Sequence, residues 1–373
     1  MTAKLFGMPG SLYTARARSY LLKQHYDFEE TIPADPAWPS VTQAVGRWII
    51  PVLQLSDGTL VQDGVAIIDH VEASGAARRS AYPETPVHRA IAHVFELFGG
   101  EGLLRPAMHY RWDYDAENLA FLRADFLGGL FPGAPAEAGD AVFANASGRM
   151  RKARDGFGVS AETAPAIQAS YHDFLARLDA HLAHYPYLLG GRPTLGDYAL
   201  IGPLYPHLGR DPYPAAEMKR RAFHVWRWVE RMQSPQAQLG GYPDETLIAG
   251  DAVPDTLAAL LAFVAEDFLP ELAAHVDFAA RWLAEHPGLE PGTNGLPNPG
   301  ARAIGKAAFA WRGHQIETLV MPYRFWLLQR LQAALTPAAQ AVLDQAGLGA
   351  LATLTLPRRV ERVNNLEVWG PAS

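Results

Sequence analysis

The 373-residue sequence contains no cysteine. The chain therefore forms no disulfide bond and offers neither a thiolate metal ligand nor a cysteine nucleophile. Chemistry that needs a reactive sulfur atom must use one that a ligand brings. Histidine pairs occur at 88 and 93 and at 181 and 184, but no carboxylate or third ligand accompanies them in a metal-binding pattern, so we expect no metal site.

Positive charge is also scarce. The chain has 32 Lys and Arg residues against 39 Asp and Glu residues, which gives a formal net charge of −7 at pH 7. Non-specific nucleic-acid binding needs a basic face, so we expect no nucleic-acid partner. One basic cluster, LPRRVER at 356–362, is short and interrupted by Glu361, which favours a solvated surface.

Long hydrophobic runs are missing as well. The longest apolar stretch, LAALLAFVAEDFL at 257–269, contains Glu266 and Asp267, whereas a membrane span needs about 20 apolar residues. The opening MTAKLFGMPG lacks the apolar run of about 7–15 residues that marks a secretory signal. With 49% hydrophobic and 19% charged residues, the composition is that of a globular protein. We expect a cytoplasmic protein without a membrane partner.

Strand and helix patterns alternate over the first 75 residues. Strand-like runs lie at 3–8, 27–33, 49–55 and 59–62, and helical spacing appears at 13–25 and 63–74. Residues 35–48 are irregular or a short helix, and SDG at 56–58 marks a hairpin. The predicted order is β-α-β-α-β-β-α.

Helical patterns dominate from residue 84 onward. Thr194 and Asp197 have the spacing of a helix-capping pair. Helices are also predicted at 255–285 and 321–347, with a β-hairpin at 306–320. The expected fold class is α+β. We divide the chain into an N-terminal domain at 1–76, an all-helical domain at 84–234 and a mostly helical extension at 235–373 that packs on the helical domain.

A serine, Ser11, follows the turn GMPG and opens the first predicted helix. Its hydroxyl would lie beside unpaired backbone N–H groups at the positive end of the helix dipole, an environment that stabilises an anion such as a thiolate supplied by a ligand. The alternative is that Ser11 only caps the helix, as most serines in such positions do.

Two N-terminal segments resemble the signatures of the glutathione transferase superfamily. SLYTARAR at 11–18 resembles the family's thiol-binding turn, with Leu12 in place of a proline, and IIPVLQLSDGTLVQDGVAIIDHVE at 49–72 resembles its second signature. YLLGGRPTLGDYALIGPL at 187–204 looks like the capping motif of the family's helical domain. The resemblance covers residues 1 to about 232 and implies a thioredoxin-like first domain, whereas most family members lack the extension.

This resemblance implies a site for glutathione as co-substrate. Ser11 would hold the thiolate, and Tyr13 is the alternative source of the hydroxyl. Pro51 would be the family's cis-proline, and Ile50 would offer backbone hydrogen bonds to the cysteinyl residue of glutathione. Arg47 would face the glycine end of the tripeptide.

The γ-glutamyl end is expected at Gln62 and Asp63. The family usually has Ser or Thr where this chain has Asp63, so Asp63 would either leave the ligand carboxylate to backbone N–H groups or face the ligand's ammonium group. Tyr110 and Trp112 are candidates for the wall of a second-substrate pocket, and aromatic packing between helices is their alternative role.

The implied reaction is attack by the glutathione thiolate on a small electrophile, in a protein that is commonly a homodimer. Two alternatives stay open: a non-catalytic binding or scaffolding protein with the same fold, and a glutathione-dependent isomerase or lyase. A fold by itself does not fix a function.

Overall fold

The computed structural model describes residues 2–298 and 300–372. Its N-terminal part has the predicted order of strands and helices, so that prediction is confirmed. The elements are β1 (Ala3–Phe6), α1 (Leu12–Lys23), β2 (Phe28–Thr31), α2 (Trp38–Val45), β3 (Val52–Gln54), β4 (Leu60–Gln62) and α3 (Gly64–Ala73).

These strands form one sheet in the order β2-β1-β3-β4. Strand β1 pairs in parallel with β2 and antiparallel with β3, and β3 pairs antiparallel with β4. The parallel pair requires a crossover, which α1 supplies. Val52 lies opposite Gln62 in the β3–β4 pair, so the start of β3 and the end of β4 lie side by side at the same end of the sheet.

Helices follow from residue 86. They are α4 (Pro86–Leu97), α5 (Leu104–Trp112), α6 (Asp115–Leu130), α7 (Ala136–Asp155), α8 (Ala164–Leu182), α9 (Leu195–Leu204), α10 (Pro212–Arg221) and α11 (Phe223–Met232). A π-helical stretch, Phe98–Gly102, separates α4 from α5. A Cβ on Gly99 would lie 2.6 Å from the backbone nitrogen of Leu200, so glycine allows α9 to approach closely there.

The described part of the C-terminal extension, residues 235–298 and 300–372, contains four longer helices and two hairpins. The elements are α12 (Asp255–Asp267), α13 (Leu269–Glu285), β5 (Gly305–Trp311), β6 (His314–Val320), α14 (Tyr323–Ala333), α15 (Pro337–Gln345), β7 (Arg358–Val363) and β8 (Leu366–Ala372). The predicted hairpin around Arg312 is confirmed as β5–β6. The hairpin β7–β8 was not predicted, and it includes most of the basic cluster at 356–362.

The extension packs on the helices and also on the N-terminal part. One hydrophobic cluster contains Leu5, Phe95 and Trp369, and so joins all three parts of the chain. Arg330 of α14 forms an ion pair with Asp69 of α3 at 2.8 Å. The contacts with the N-terminal part come in addition to the predicted packing on the helical domain. Among the residues that the structure describes, no helix is both long and apolar enough to cross a membrane.

Thr194 and Asp197 form the predicted capping box at the start of α9. The fully buried Asp197 carboxylate accepts hydrogen bonds from the backbone N–H groups of Thr194 at 2.9 Å and Leu188 at 3.0 Å. It also accepts one from Nε1 of Trp228 at 3.2 Å. One side chain thus joins α9, α11 and the loop before α9.

We expect Asp197→Ala to lower the free energy of unfolding by about 3–5 kcal/mol, because it removes the acceptor of four buried donors, the fourth being the Thr194 hydroxyl at 3.2 Å. Urea unfolding measures the change. Asp173→Ala is the control, since Asp173 is a third exposed and pairs only with Arg177 on the same helix among the residues described; it should change stability by about 0.5 kcal/mol or less. Equal losses in the two variants would contradict the assigned role of Asp197.

Candidate functional site

The turn between β1 and α1 is held by two arginines. Arg18 donates from Nη2 to the backbone oxygen of Met8 at 3.2 Å and pairs with Glu30 on β2. Arg111 of α5 donates from Nη1 to the backbone oxygen of Gly10 at 3.1 Å. Both guanidinium groups reach backbone oxygens of the turn that precedes Ser11, so they fix where α1 begins.

Ser11 is the N-cap of α1. Its backbone is extended, and its hydroxyl oxygen accepts a hydrogen bond from the backbone N–H of Thr14 at 3.2 Å. Capping uses only the acceptor capacity of the hydroxyl, so its proton remains available to a ligand. The role of Ser11 in thiol chemistry stays a prediction.

Pairing of the start of β3 with the end of β4 brings Pro51, Gln62 and Asp63 together. The Ile50–Pro51 peptide bond is cis, as expected, and the backbone N–H of Asp63 donates to the oxygen of Pro51 at 3.2 Å. Ile50 is partly buried against the small apolar cluster that includes Trp38. Strand pairing therefore places three of the predicted glutathione-binding residues side by side.

Asp63 connects this end of the sheet to the extension. It is the N-cap of α3, and Oδ1 accepts hydrogen bonds from the backbone N–H groups of Val65 at 2.9 Å and Ala66 at 3.3 Å. The hydroxyl of Tyr323 in α14 donates to Asp63 at 3.1 Å, and Nη1 of Arg362 lies 3.3 Å from Oδ1. The carboxylate is thus satisfied by its own chain.

Gln62 and Arg47 also bind the extension. Oε1 of Gln62 accepts a hydrogen bond from Nη2 of Arg362 at 3.0 Å. Arg47 donates to the backbone oxygen of Asn365, at the tip of the β7–β8 hairpin. Arg362 is therefore not on a solvated face, and that interpretation of the basic cluster was wrong for this residue. All three polar residues predicted to hold the two ends of glutathione contact the C-terminal segment.

Tyr13 lies beside a small cavity enclosed by α1, α3 and the extension. The cavity measures about 10 Å³ and is lined by Tyr13, Arg16, Asp63, Gly64, Gly100 and Tyr323. This volume is about that of one water molecule. A tripeptide does not fit in the site while the extension stays where it is.

The surroundings of Tyr13 keep its hydroxyl protonated. Burial, and then the carboxylate of Glu101, raise the pKa of Tyr13 above its ordinary value of 10.0, and the guanidinium of Arg302 opposes this rise. Arg16 packs beside Gly100, where a Cβ would lie 2.7 Å from its Nη2 atom. A protonated hydroxyl with guanidinium groups nearby suits a hydrogen bond to an anionic sulfur atom.

Tyr110 and Trp112 are core residues of the helical part. They are 1% and 2% exposed. Tyr110 stacks on Tyr114 at 5.6 Å between ring centroids, and the guanidinium of Arg151 lies 4.7 Å from the Trp112 ring. Neither side chain lines the cavity beside Tyr13, so their contacts fit the packing alternative. Within the described residues, no group of three His, Asp or Glu side chains is placed to hold a metal ion.

Two functional contacts escaped the sequence analysis. The sequence predicts only a helix around Tyr323 and a solvated cluster around Arg362, whereas each of these side chains touches Asp63 from a distant part of the chain. The alternation of buried Val360 with exposed Arg359 and Glu361 was a usable signal for a strand. No pattern in the sequence indicated which residues this strand would contact.

Comparisons with known proteins agree with the fold. The family model described as glutathione S-transferase, N-terminal domain, matches residues 5–79, and the one described as glutathione S-transferase, C-terminal domain, matches residues 161–231. Residues 232–373 lie outside both matches. No curated protein matches the chain.

Solved structures similar to the chain include three from bacteria and a fungus. A glutathione S-transferase from Rhodospirillum rubrum F11 is 17% identical with a TM-score of 0.37, and the match covers 66% of this chain and 94% of that one. The beta-etherase LigF from Sphingobium sp. strain SYK-6 is 18% identical with a TM-score of 0.42, covering 64% and 97%. Glutathione transferase GSTFuA3 from Phanerochaete chrysosporium is 17% identical with a TM-score of 0.44, covering 63% and 98%.

We expect Asp63→Ala to lower the free energy of unfolding by about 2–4 kcal/mol, because it removes a helix cap and leaves Tyr323 and Arg362 without their partner. Asp63→Asn keeps an acceptor oxygen for the cap and for Tyr323, so its loss should be nearer about 1 kcal/mol. Urea unfolding of both variants beside the unsubstituted protein checks the order. Asp63→Ala unfolding at the same urea concentration as the unsubstituted protein would show that the carboxylate does not hold the extension.

Proposed function

Since the chain belongs to the glutathione transferase superfamily, we propose that it binds glutathione and activates the glutathione thiol for attack on a small electrophile. The observation that carries this proposal is that Tyr13 and Arg16 of α1 meet Asp63 around one cavity, and that the backbone of Asp63 is hydrogen-bonded to Pro51. The cation, hydroxyl and carboxylate groups that a thiol-bearing peptide needs lie together there.

The polar groups fit the two ends of the tripeptide. An extended peptide can bind along the irregular backbone before Pro51 in the manner of an added strand. The oxygens of Gln62 and Asp63 suit the γ-glutamyl ammonium group, and the guanidinium of Arg47 suits the glycine carboxylate. Each of these groups now has an intramolecular partner, so glutathione binds after the extension has moved aside.

Thiol activation needs only a modest free energy. A free thiol titrates near 8.5, and lowering its pKa by about 1.5 units takes about 2 kcal/mol. One hydrogen bond to a charged group contributes about 1.5–3 kcal/mol. The thiolate sulfur then forms a bond to the electrophilic carbon while the leaving group departs with its electron pair, and the thiol proton passes to solvent.

Two hydroxyls compete for the sulfur. Ser11 has the family's usual position, whereas Tyr13 lines the cavity together with Asp63. On this geometry we favour Tyr13 as the donor and keep Ser11 as the alternative. A homodimer and a cytoplasmic location remain expectations from the family.

A second candidate function is non-catalytic binding on the same fold. The specific observation in its favour is that the Asp63 carboxylate already has two partners in the extension, a hydrogen bond from Tyr323 and an ion pair with Arg362. In a protein that never releases them, the extension would be a permanent part of the core, and glutathione would have no site.

We expect Tyr13→Phe to lower kcat/KM for glutathione and a chlorodinitrobenzene electrophile by about 10- to 100-fold, the equivalent of one lost hydrogen bond to a charged sulfur. Ser11→Ala should have a smaller effect on rate and should cost about 1 kcal/mol of stability through the lost cap. Steady-state rates and urea unfolding measure the two quantities.

A larger loss of rate in Ser11→Ala than in Tyr13→Phe would assign the hydroxyl to Ser11. Calorimetry with glutathione separates the two candidate functions. The absence of both binding heat and turnover at millimolar glutathione would reject the transferase and leave the non-catalytic candidate.

A further inference from the structure

The β7–β8 hairpin contacts three of the residues that we propose bind glutathione, namely Arg47, Gln62 and Asp63. We define residues 358–372, which form this hairpin, as the hairpin gate. We propose that the hairpin gate is a closed lid on the glutathione site, in which Arg362 stands where the γ-glutamyl ammonium group of glutathione would bind, and that ligand and gate compete for Gln62 and Asp63. This inference rests on the proposed function and adds a means of regulating it.

Arg362 is the residue of the gate that would compete with the ligand's ammonium group. Its guanidinium donates to Gln62 at 3.0 Å and pairs with Asp63 at 3.3 Å. A guanidinium and a primary ammonium seek the same acceptor oxygens, so the two cations cannot both have them. The closed gate therefore excludes the ligand's ammonium group by charge and hydrogen bonding.

Asp63 itself occupies the N-terminus of α3. Its carboxylate accepts the N–H groups of Val65 and Ala66 at the start of α3. The N-terminus of a helix is where a ligand carboxylate would be stabilised. Because Asp63 already accepts these N–H groups, the ligand's ammonium group, and not its carboxylate, is what would replace Arg362 at Asp63.

The tip of the gate closes on the N-terminal part. Asn364 and Asn365 have φ values of 50° and 65° and connect strands that pair through Val363 and Leu366. Two consecutive positive φ values give the tight turn that matches the twist of a hairpin. This turn places the backbone oxygen of Asn365 on Arg47, the residue expected at the glycine end of glutathione.

The base of the gate is anchored separately from its tip. Trp369 is 1% exposed, stacks on Trp282 with centroids 5.9 Å apart, and exchanges backbone hydrogen bonds with Gly292 and Thr293. By contrast, Val363 near the tip is 43% exposed. A segment with a buried base and a polar, exposed tip opens locally more easily than the core around it.

Arg362 also has a partner that moves with it. Its Nε atom lies 3.2 Å from Oε1 of Glu367 on the facing strand of the same hairpin. Lifting the gate breaks the contacts with Gln62 and Asp63 but keeps this ion pair. The guanidinium therefore does not become an uncompensated charge when the site opens.

The experiment uses the full chain and three variants. Arg362→Met removes the cation and keeps a side chain of similar reach. Tyr323→Phe removes the other extension contact to Asp63 with almost no change of volume, and so serves if Arg362→Met folds poorly. Arg359→Met is the matched control, because Arg359 lies on the same strand with its side chain exposed.

Hydrogen–deuterium exchange follows the amides of 358–372, and calorimetry measures glutathione binding. The apparent affinity of a gated site is its intrinsic affinity multiplied by the open fraction. We expect Arg362→Met to speed exchange within the gate and to lower the apparent Kd for glutathione about tenfold. Tyr323→Phe should act in the same direction, Arg359→Met should change neither, and saturating glutathione should speed exchange of the gate in the unsubstituted protein.

The outcomes separate this inference from the proposed function. Measurable but equal affinities in Arg362→Met, Tyr323→Phe and the unsubstituted protein would overturn the gate and leave the proposed function standing. Faster exchange of the gate in either variant, with no glutathione binding by any of the proteins, would overturn the proposed function and the gate with it.

Discussion

The contact between the N-terminal part and the extension centres on one buried carboxylate, that of Asp63. It caps α3, accepts a hydrogen bond from the hydroxyl of Tyr323 and forms an ion pair with Arg362. A carboxylate that is only 8% exposed is costly unless every lone pair has a partner. Two of those partners come from the extension, so Asp63 joins the N-terminal part to the extension together with the Gln62–Arg362 and Arg47–Asn365 contacts.

This coupling gives a physical reason for an acidic residue at position 63. The family usually has a serine or threonine there, and a hydroxyl would cap α3 equally well. A neutral hydroxyl, however, would leave the guanidinium of Arg362 without a countercharge on that side. Asp63 and the hairpin therefore complement each other, since Asp63 supplies the negative charge and Arg362 of the hairpin the positive charge of one ion pair.

Local patterns could be predicted from the sequence, and distant contacts could not. The order of the first seven elements and the Thr194–Asp197 capping box follow from periodicity and from spacings of a few residues. The site is different, because Gln62 and Arg362 are 300 residues apart. Nothing in LPRRVER distinguishes Arg362 from the exposed Arg359 until the strand is placed, since alternate side chains of a strand face opposite ways.

In the proposed function the reactive sulfur comes from glutathione, because the chain has no cysteine. The buried polar groups that would receive the ligand already have partners within the chain. Removing one member of a buried ion pair is strongly unfavourable, whereas exchanging it for a group of the same charge preserves the balance. Replacement of Arg362 by a ligand ammonium group is an exchange of that kind. In the proposed exchange Asp63 would keep its cap and a countercharge, so the free energy of opening would be set by the difference between two similar sets of contacts.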